Sequence, residues 1–450
     1  MRTALDVRQF IDEQPFGRYQ SLVAGLCAAI VFIDGFDAQV MGFVAPALSA
    51  ELHIPRVALG TVISSGTFGM LIGALTFGPL ADRIGRKPVL IACATTFALG
   101  SLLTATATSV AELTAFRVFT GIGMGGAMPN AIALTSEYMP ARSRNAAVMT
   151  MFCGFSLGSA CAGWVAAAVI GRFGWQSVFL VGGTIPILLA TVSIAVLPES
   201  IRFLVLKGGQ QKRIAAYLSR IAPGTPVPDQ VVAGEDAHPA GSLSVGQLFA
   251  GGRAGVTLLL WTMFFMNLLN LWFLNNWLPT IMHDAGMSIE TASVITSLFQ
   301  IGGLVGSLAL AALSRRSPAL SERDGRRVEG FGPLAAIYLS AALFILLVGE
   351  AGASIPLLVI GVFAAGMSVI GGQTASNALA AEFYPTTIRA TGVGWALGIG
   401  RVGSILGPIL GGVLLSYGDA RRVFWAALVP AVIAACAACG AWNMVGRTRA

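Results

Sequence analysis

Apolar runs of membrane-spanning length recur along nearly the whole chain, near 20–45, 57–79, 88–108, 112–136, 146–170, 176–197, 254–280, 290–313, 331–350, 354–380, 390–415 and 422–445. A helix needs about 20 such residues to cross a hydrocarbon core of roughly 30 Å. Inside that core each backbone polar group must be satisfied within its own segment, so the runs are expected to be helices. Of 450 residues only 11% are charged and 55% are apolar, against about 25% charged in soluble domains. This excludes a cytosolic enzyme, a disordered chain and a nucleic-acid binder. The 55 Gly and 20 Pro fit, because both residues are commoner in spanning helices than in soluble ones. The expected fold is an all-α membrane protein of twelve transmembrane helices.

An even number of spans puts both termini on one side, and the basic residues say which. The termini and even-numbered loops hold 22 Lys and Arg, among them Arg83, Arg86, Lys87, Arg142, Arg144, Arg202, Arg389 and Arg449. The odd loops hold 4: Arg56, Arg172, Arg421 and Arg422. By the positive-inside rule both termini are cytoplasmic, and the net charge of +7 is mostly topology. Acids at Asp6, Asp12 and Glu13 and the lack of a cleavage site argue against a secretory signal, so Leu5 to Tyr19 reads as a short interfacial helix.

The longest polar break falls at 198–252, with Pro223, Pro226, Pro228, Glu235 and Asp236 in a solvated stretch. It separates a bundle at 1–197 from one at 253–450. The two echo one another: Glu137-Tyr-Met-Pro140 with Arg144 returns as Glu382-Phe-Tyr-Pro385 with Arg389, and Asp34-x-x-Asp37 with Pro46 corresponds to Asn267-x-x-Asn270 with Pro279. Two pseudo-symmetric six-helix bundles around a midplane cavity follow, an arrangement suited to alternating access.

Cys436 and Cys439 have metal-ligand spacing but lie in an Ala-rich run without a second pair of ligands. His53, His238 and His283 are expected in loops. No metal site, cofactor or nucleophile–base pair is indicated, which argues against an enzyme.

The loop after the second run reads Gly78-Pro-Leu-Ala-Asp82-Arg83-Ile-Gly85-Arg86-Lys87. Gly78 is expected to permit close helix approach and Gly85 a tight turn. Asp82 is placed to face the positive end of a helix in the other half, with Arg83 and Arg86 as counter-charges. The second copy, at Ser314-Arg315-Arg316, lacks the acid and carries an insertion through Arg327. In the first run stand Asp34 and Asp37. A carboxylate at mid-membrane costs about 2.5–3.5 kcal/mol on insertion scales, so two imply a function. Such a group can load a proton on one side and release it on the other.

The Gly78–Lys87 loop resembles the signature loop of the major facilitator superfamily. Asp34-Gly-Phe-Asp37, the opening Leu5-Asp-Val-Arg-Gln-Phe-Ile-Asp-Glu-Gln-Pro15 with Arg18-Tyr-Gln, and Leu197-Pro-Glu-Ser-Ile-Arg-Phe-Leu204 narrow the resemblance to its aromatic acid:proton symporter family. That resemblance implies the facilitator fold, an inner-membrane location and uptake of aromatic carboxylates with protons; a bacterial cell and a chain functional as a monomer are the accompanying expectations. It also implies functional roles for Asp34, Asp37, Asp82, Arg117, Glu137, Arg389 and Arg401.

Arg117 and Arg401 are the two cations inside apolar runs. Gly121, Gly123, Gly125 and Gly126 are expected to pack the fourth span on the first, bringing Arg117 to Asp34 and Asp37, which share a face. A guanidinium offers two parallel donors that fit a carboxylate. Arg401 is therefore assigned to the substrate anion and Arg117 to coupling, and the reverse assignment stays open. Polar candidates for the cavity are Asn267, Asn270, Gln300, Gln373 and Asn377. The asparagines can equally bridge helices. Trp272, Phe273 and Trp395 can stack a ring or serve as packing.

The expected function is proton-coupled import of a small aromatic carboxylate, with Glu137, Arg144, Glu382 and Arg389 beside the gate loop. Alternatives are another organic anion such as muconate or a sugar acid, an exporter, or a transporter-like receptor for aromatic acids.

Overall fold

The computed structural model describes residues 5–223, 231–232, 245–316, 330–352, 354–385, 387–417 and 420–447. Glu235, Asp236, His238, Arg327, Arg449 and the side chains of Ser314, Arg315 and Arg316 lie outside the described part. The chain folds as α1 (Val7–Glu13), α2 (Arg18–Glu51), α3 (Arg56–Ile84), α4 (Arg86–Thr104), α5 (Val110–Tyr138), α6 (Ala141–Phe173) and α7 (Gln176–Val196). Two short helices follow, α8 (Ile201–Lys207) and α9 (Gln211–Ile221). After these come α10 (Ala254–Asp284), α11 (Ile289–Arg316), α12 (Phe331–Glu350), α13 (Ile355–Phe383), α14 (Arg389–Tyr417) and α15 (Ala420–Arg447). A short parallel pairing joins β1 (Leu5–Asp6) to β2 (Val231–Val232).

Among the described residues eleven helices are long and apolar enough to cross a membrane. The remaining long helix, α5, carries Arg117, four glycines and Asn130 through its middle, and those residues lower its hydropathy. The helices outrun the apolar runs that announce them: α2 covers 34 residues, from Arg18 to Glu51. His283 lies in the last turn of α10 and not in a loop.

Glycines set the closest helix pairs, since small residues let backbones approach where lipid offers no hydrophobic drive for association. A Cβ at Gly69 or Gly73 of α3 would collide with the carbonyls of Val118 or Ile122 on α5, and one at Gly121 or Gly125 of α5 with those of Gly66 or Met70. The same device joins α11 to α13, where Gly302 meets Phe363 and Gly366 meets Phe299. The α5 glycines thus face α3, with Gly123 and Gly126 meeting α4 residues Phe97 and Cys93. This corrects the expectation that they face the first span. Gly78 has open space where a Cβ would stand, so it makes no close approach.

Helices α2–α7 pack among themselves, as do α10–α15, and the two groups meet along α2–α10, α3–α14 and α6–α11. The polar contacts that join them lie toward one end. Gln39 donates to the Asn275 carbonyl. Gln300 donates to Asn275 Oδ1 at 2.9 Å and to Gln39 Oε1 at 3.4 Å. Ser64 donates to the Ile405 carbonyl at 2.7 Å, and Arg56 pairs with Asp284 at 2.8 Å. Gly42, Gly60 and Gly163 sit against Asn275, Pro408 and Ser297 in the same region. The opposite end carries α1, the α3–α4 and α5–α6 turns, and α8.

Candidate functional site

Asp37 is fully buried and accepts from Arg117 Nη1 at 2.9 Å. The ion pair joins α2 to α5. Around the guanidinium stand Gly66 of α3, 3.2 Å from Nη2 to where its Cβ would be, and the Phe179 ring of α7, 6.0 Å away. All these elements belong to α2–α7, so the pair sits within that group.

Asp34 is 2% exposed and neither carboxylate oxygen has a hydrogen-bond partner. It lines an apolar void of about 10 Å³ with Ile33, Cys93, Phe97, Met124 and Leu189, room for about one water. Arg117 pairs with its neighbour three residues on, which leaves Asp34 without that counter-ion. The cation whose field acts on Asp34 is Arg401, from the other helix group.

Arg401 lies on α14, partly exposed and without a hydrogen bond among the described residues. Its direction follows from helix periodicity. Residues four, seven and eleven further on share its face, and these are Ile405, Pro408 and Gly412, which meet Ser64, Gly60 and Arg56 of α3. Arg401 is therefore on the stripe of α14 that faces α2–α7. Its neighbours Gly400, Gly403 and Gly407 turn instead to α10.

The polar candidates separate. Asn267 donates to the Val369 carbonyl at 3.2 Å and to Gln373 Oε1 at 2.9 Å. Gln373 in turn donates to Asn377 Oδ1 at 3.1 Å. Asn267 is thus a bridge from α10 to α13, with Asn377 at the exposed end of the chain. Asn270 is buried with Oδ1 unpartnered. Gln300 is engaged with Gln39 and Asn275 where the groups meet.

The aromatic candidates also divide. Trp272 packs against the cluster of Ile33, Ala38, Met70, Phe97 and Met124 in the opposite group. Phe273 is 2% exposed, inside the apolar core. Trp395 stacks on Trp261 at 5.9 Å and 23°. It precedes Arg401 by six residues, about 9 Å along a helix at ~1.5 Å per residue. One face of Trp395 is thus taken by Trp261, while the residue remains 43% exposed.

At the end bearing α1, Gly85 takes φ +103°, ψ 160°, a region open essentially to glycine. A Cβ there would meet the Glu199 carboxylate. Glu199 Oε1 accepts from the backbone N–H groups of Arg86 at 2.8 Å and Lys87 at 3.1 Å, closing the start of α4. The Arg86 side chain pairs with Glu137 at 3.0 Å, and Glu137 accepts from Ser200 Oγ. Arg144 does not join Glu137. It reaches the Ser136 and Met139 carbonyls and Asp12 at 3.0 to 3.2 Å, closing the end of α5. Arg389 repeats this contact on the Tyr384 carbonyl at the end of α13. Glu382, Asp82 and Arg83 are exposed. Asp82 has no hydrogen bond or ion pair among the described residues, so the expected contact with a helix of the other group is not made here.

The sequence reading missed Gln39, Asn275, Glu199 and Asp12. Gln39 and Asn275 carried a signal, amides within apolar runs. Glu199 and Asp12 matter only once the turns they close are folded.

The profile of the Major Facilitator Superfamily matches residues 27–319 and 260–447. The 4-hydroxybenzoate transporter PcaK of Pseudomonas aeruginosa is 44% identical, the match covering 96% of this chain and 95% of that one. A gallate transporter of Pseudomonas putida is 43% identical over 96% and 94%. Among solved structures, a bacterial homologue of the human lysosomal transporter Spinster superposes with a TM-score of 0.72 at 17% identity, over 96% of this chain and 98% of that chain. The nucleoside transporter NupG gives 0.71 at 16%, over 94% and 100%. Fold, helix packing and sequence agree: the chain belongs to the major facilitator superfamily, a family of multi-pass membrane transporters.

Proposed function

We propose that this transporter imports a small aromatic carboxylate, of the hydroxybenzoate or gallate type, together with a proton. It works as a monomer in the bacterial inner membrane. Twelve helices span the bilayer in two six-helix bundles, 1–197 and 253–450, with the 198–252 linker and both termini in the cytoplasm. The reading is supported by relatives at 43–44% identity named for 4-hydroxybenzoate and gallate transport. The observation that carries it is Arg401, a guanidinium without a hydrogen bond among the described residues, on the stripe facing the other bundle and within the field of an unpartnered carboxylate at Asp34.

Arg401 holds the substrate carboxylate through two parallel N–H donors. Asp34 carries the proton, because an unpaired ion away from water is costly and takes up a counter-charge or a proton. Asp37 stays paired with Arg117 and fixes α5 against α2. Asn267, Asn270, Gln373, Asn377 and Trp272 shape the ring's surroundings. With the odd-loop end closed by Gln39, Asn275, Gln300 and the Arg56–Asp284 pair, the carrier opens to the cytoplasm. Closing that side brings Asp82 to the opposite bundle, with Arg83, Arg86, Glu137, Glu382 and Arg389 around the gate.

A monoanion moving with one proton carries no net charge. Uptake of labelled 4-hydroxybenzoate into proteoliposomes should therefore follow an imposed pH gradient far more than an imposed potential, which contributes about 2.3 kcal/mol per charge per 100 mV when charge does move. Asp34→Asn should abolish accumulation while leaving exchange of labelled for unlabelled substrate. Accumulation by Asp34→Asn at the wild-type level would remove Asp34 from coupling.

A further inference from the structure

A second cavity, of about 280 Å³, opens at the end bearing α1, apart from Arg401 and the two aspartates. Its lining includes Val7 of α1, Arg86 of α4, Ala133 and Glu137 of α5, and Ile201 and Arg202 of α8. Its size is at the lower edge of small-molecule sites, ~300–1,000 Å³, and its wall combines guanidinium groups with an apolar face from Val7, Ile11, Ala133 and Ile201.

Among the lining residues Arg86, Arg144 and Arg202 stand beside one acid, Glu137. Behind the wall, Asp12 holds Arg144 and Glu199 holds the backbone of Arg86 and Lys87. Arg202 is exposed and has no hydrogen bond or ion pair among the described residues, while Glu137 is within its field. A bare phosphate would use the cations but leave the apolar wall uncovered. An anion with a flat apolar body uses both.

We infer that this cavity is a second binding site for the transported class itself, a small aromatic carboxylate, at the cytoplasmic mouth. The inference rests on the proposed import of such acids. The ligand's carboxylate lies between Arg202 and Arg86, and its ring lies on Ile201, Val7 and Ala133. To reach Arg86 it must compete with Glu137, whose pair with Arg86 ties the α3–α4 turn to the end of α5. Substrate accumulated inside therefore acts on the turn that carries Asp82 and slows reorientation of the carrier.

Equilibrium binding of labelled 4-hydroxybenzoate to the purified full chain tests this, with Arg401→Lys, Arg202→Ala and the cavity-filling Ala133→Phe as variants. Two binding phases are expected in wild type. Arg401→Lys should weaken one phase, while Arg202→Ala and Ala133→Phe should each weaken the other by about tenfold or more. The same two variants should relieve inhibition of uptake by substrate preloaded in proteoliposomes. A single phase removed by Arg401→Lys, with inhibition unchanged in Arg202→Ala and Ala133→Phe, would overturn the second site while leaving the proposed function standing. Loss of all binding phases for aromatic acids would instead overturn that function. Inorganic phosphate, or vesicles containing phosphatidylglycerol, displacing the second phase at concentrations comparable to 4-hydroxybenzoate would assign the cavity to anions or lipid headgroups and overturn the ligand class.

Discussion

Two arginines stand within apolar helices of this transporter, and their surroundings differ. Arg117 is closed in by α2, α3 and α7 and joined to a fully buried Asp37 at 2.9 Å. Arg401 is partly exposed, makes no hydrogen bond among the described residues and faces the other helix group. The difference separates two uses of the same charge. A guanidinium paired with an internal carboxylate ties two helices of one group together. One without a hydrogen bond among the described residues, at the meeting of two helix groups, is the one the proposed function assigns to the incoming anion.

The largest effect expected from breaking this contrast is on stability. Asp37→Ala leaves Arg117 buried without its counter-ion, and breaking such a pair costs about 3–5 kcal/mol. Thermal unfolding of the purified protein should show a large loss. The double change Asp37→Leu with Arg117→Met should recover most of that stability without restoring transport. A single Asp37→Ala variant as stable as wild type would mean that the pair does not hold α2 to α5.

Arg401 should behave in the opposite way. Arg401→Lys keeps the charge and disturbs no internal hydrogen bond, so stability should hardly change. Substrate affinity should fall by about 30-fold, the loss of one charge-assisted hydrogen bond worth ~2 kcal/mol. Calorimetric or radioligand binding to the variant decides this, and unchanged affinity would place the anion site elsewhere.

The smallest effect is expected at the ion pair between the groups, Arg56–Asp284, whose side chains are 28% and 35% exposed. Exposed pairs contribute about 0.2–1 kcal/mol. Asp284→Asn should shift the balance of the two facing states by a few-fold at most, read as a change of that size in the initial rate of 4-hydroxybenzoate uptake. A complete block of transport would show the pair to be a principal lock, ahead of Gln39, Asn275 and Gln300.

The sequence by itself determined the class of molecule, the helical segments and the charged positions inside them. In a bilayer each helix satisfies its own backbone, so hydropathy along the chain is nearly enough to locate it. The echo of Glu137–Arg144 in Glu382–Arg389 was equally legible, and in both places the arginine closes the end of the preceding helix. Only the tertiary structure decided which aspartate Arg117 meets, that the α5 glycines face α3 and α4, that Trp395 stacks on Trp261, and that Gln39, Asn275 and Gln300 join the groups. The physical reason is rotation. Spacing along a helix fixes which residues share a face, but the direction in which that face turns is set by the neighbours that pack against it.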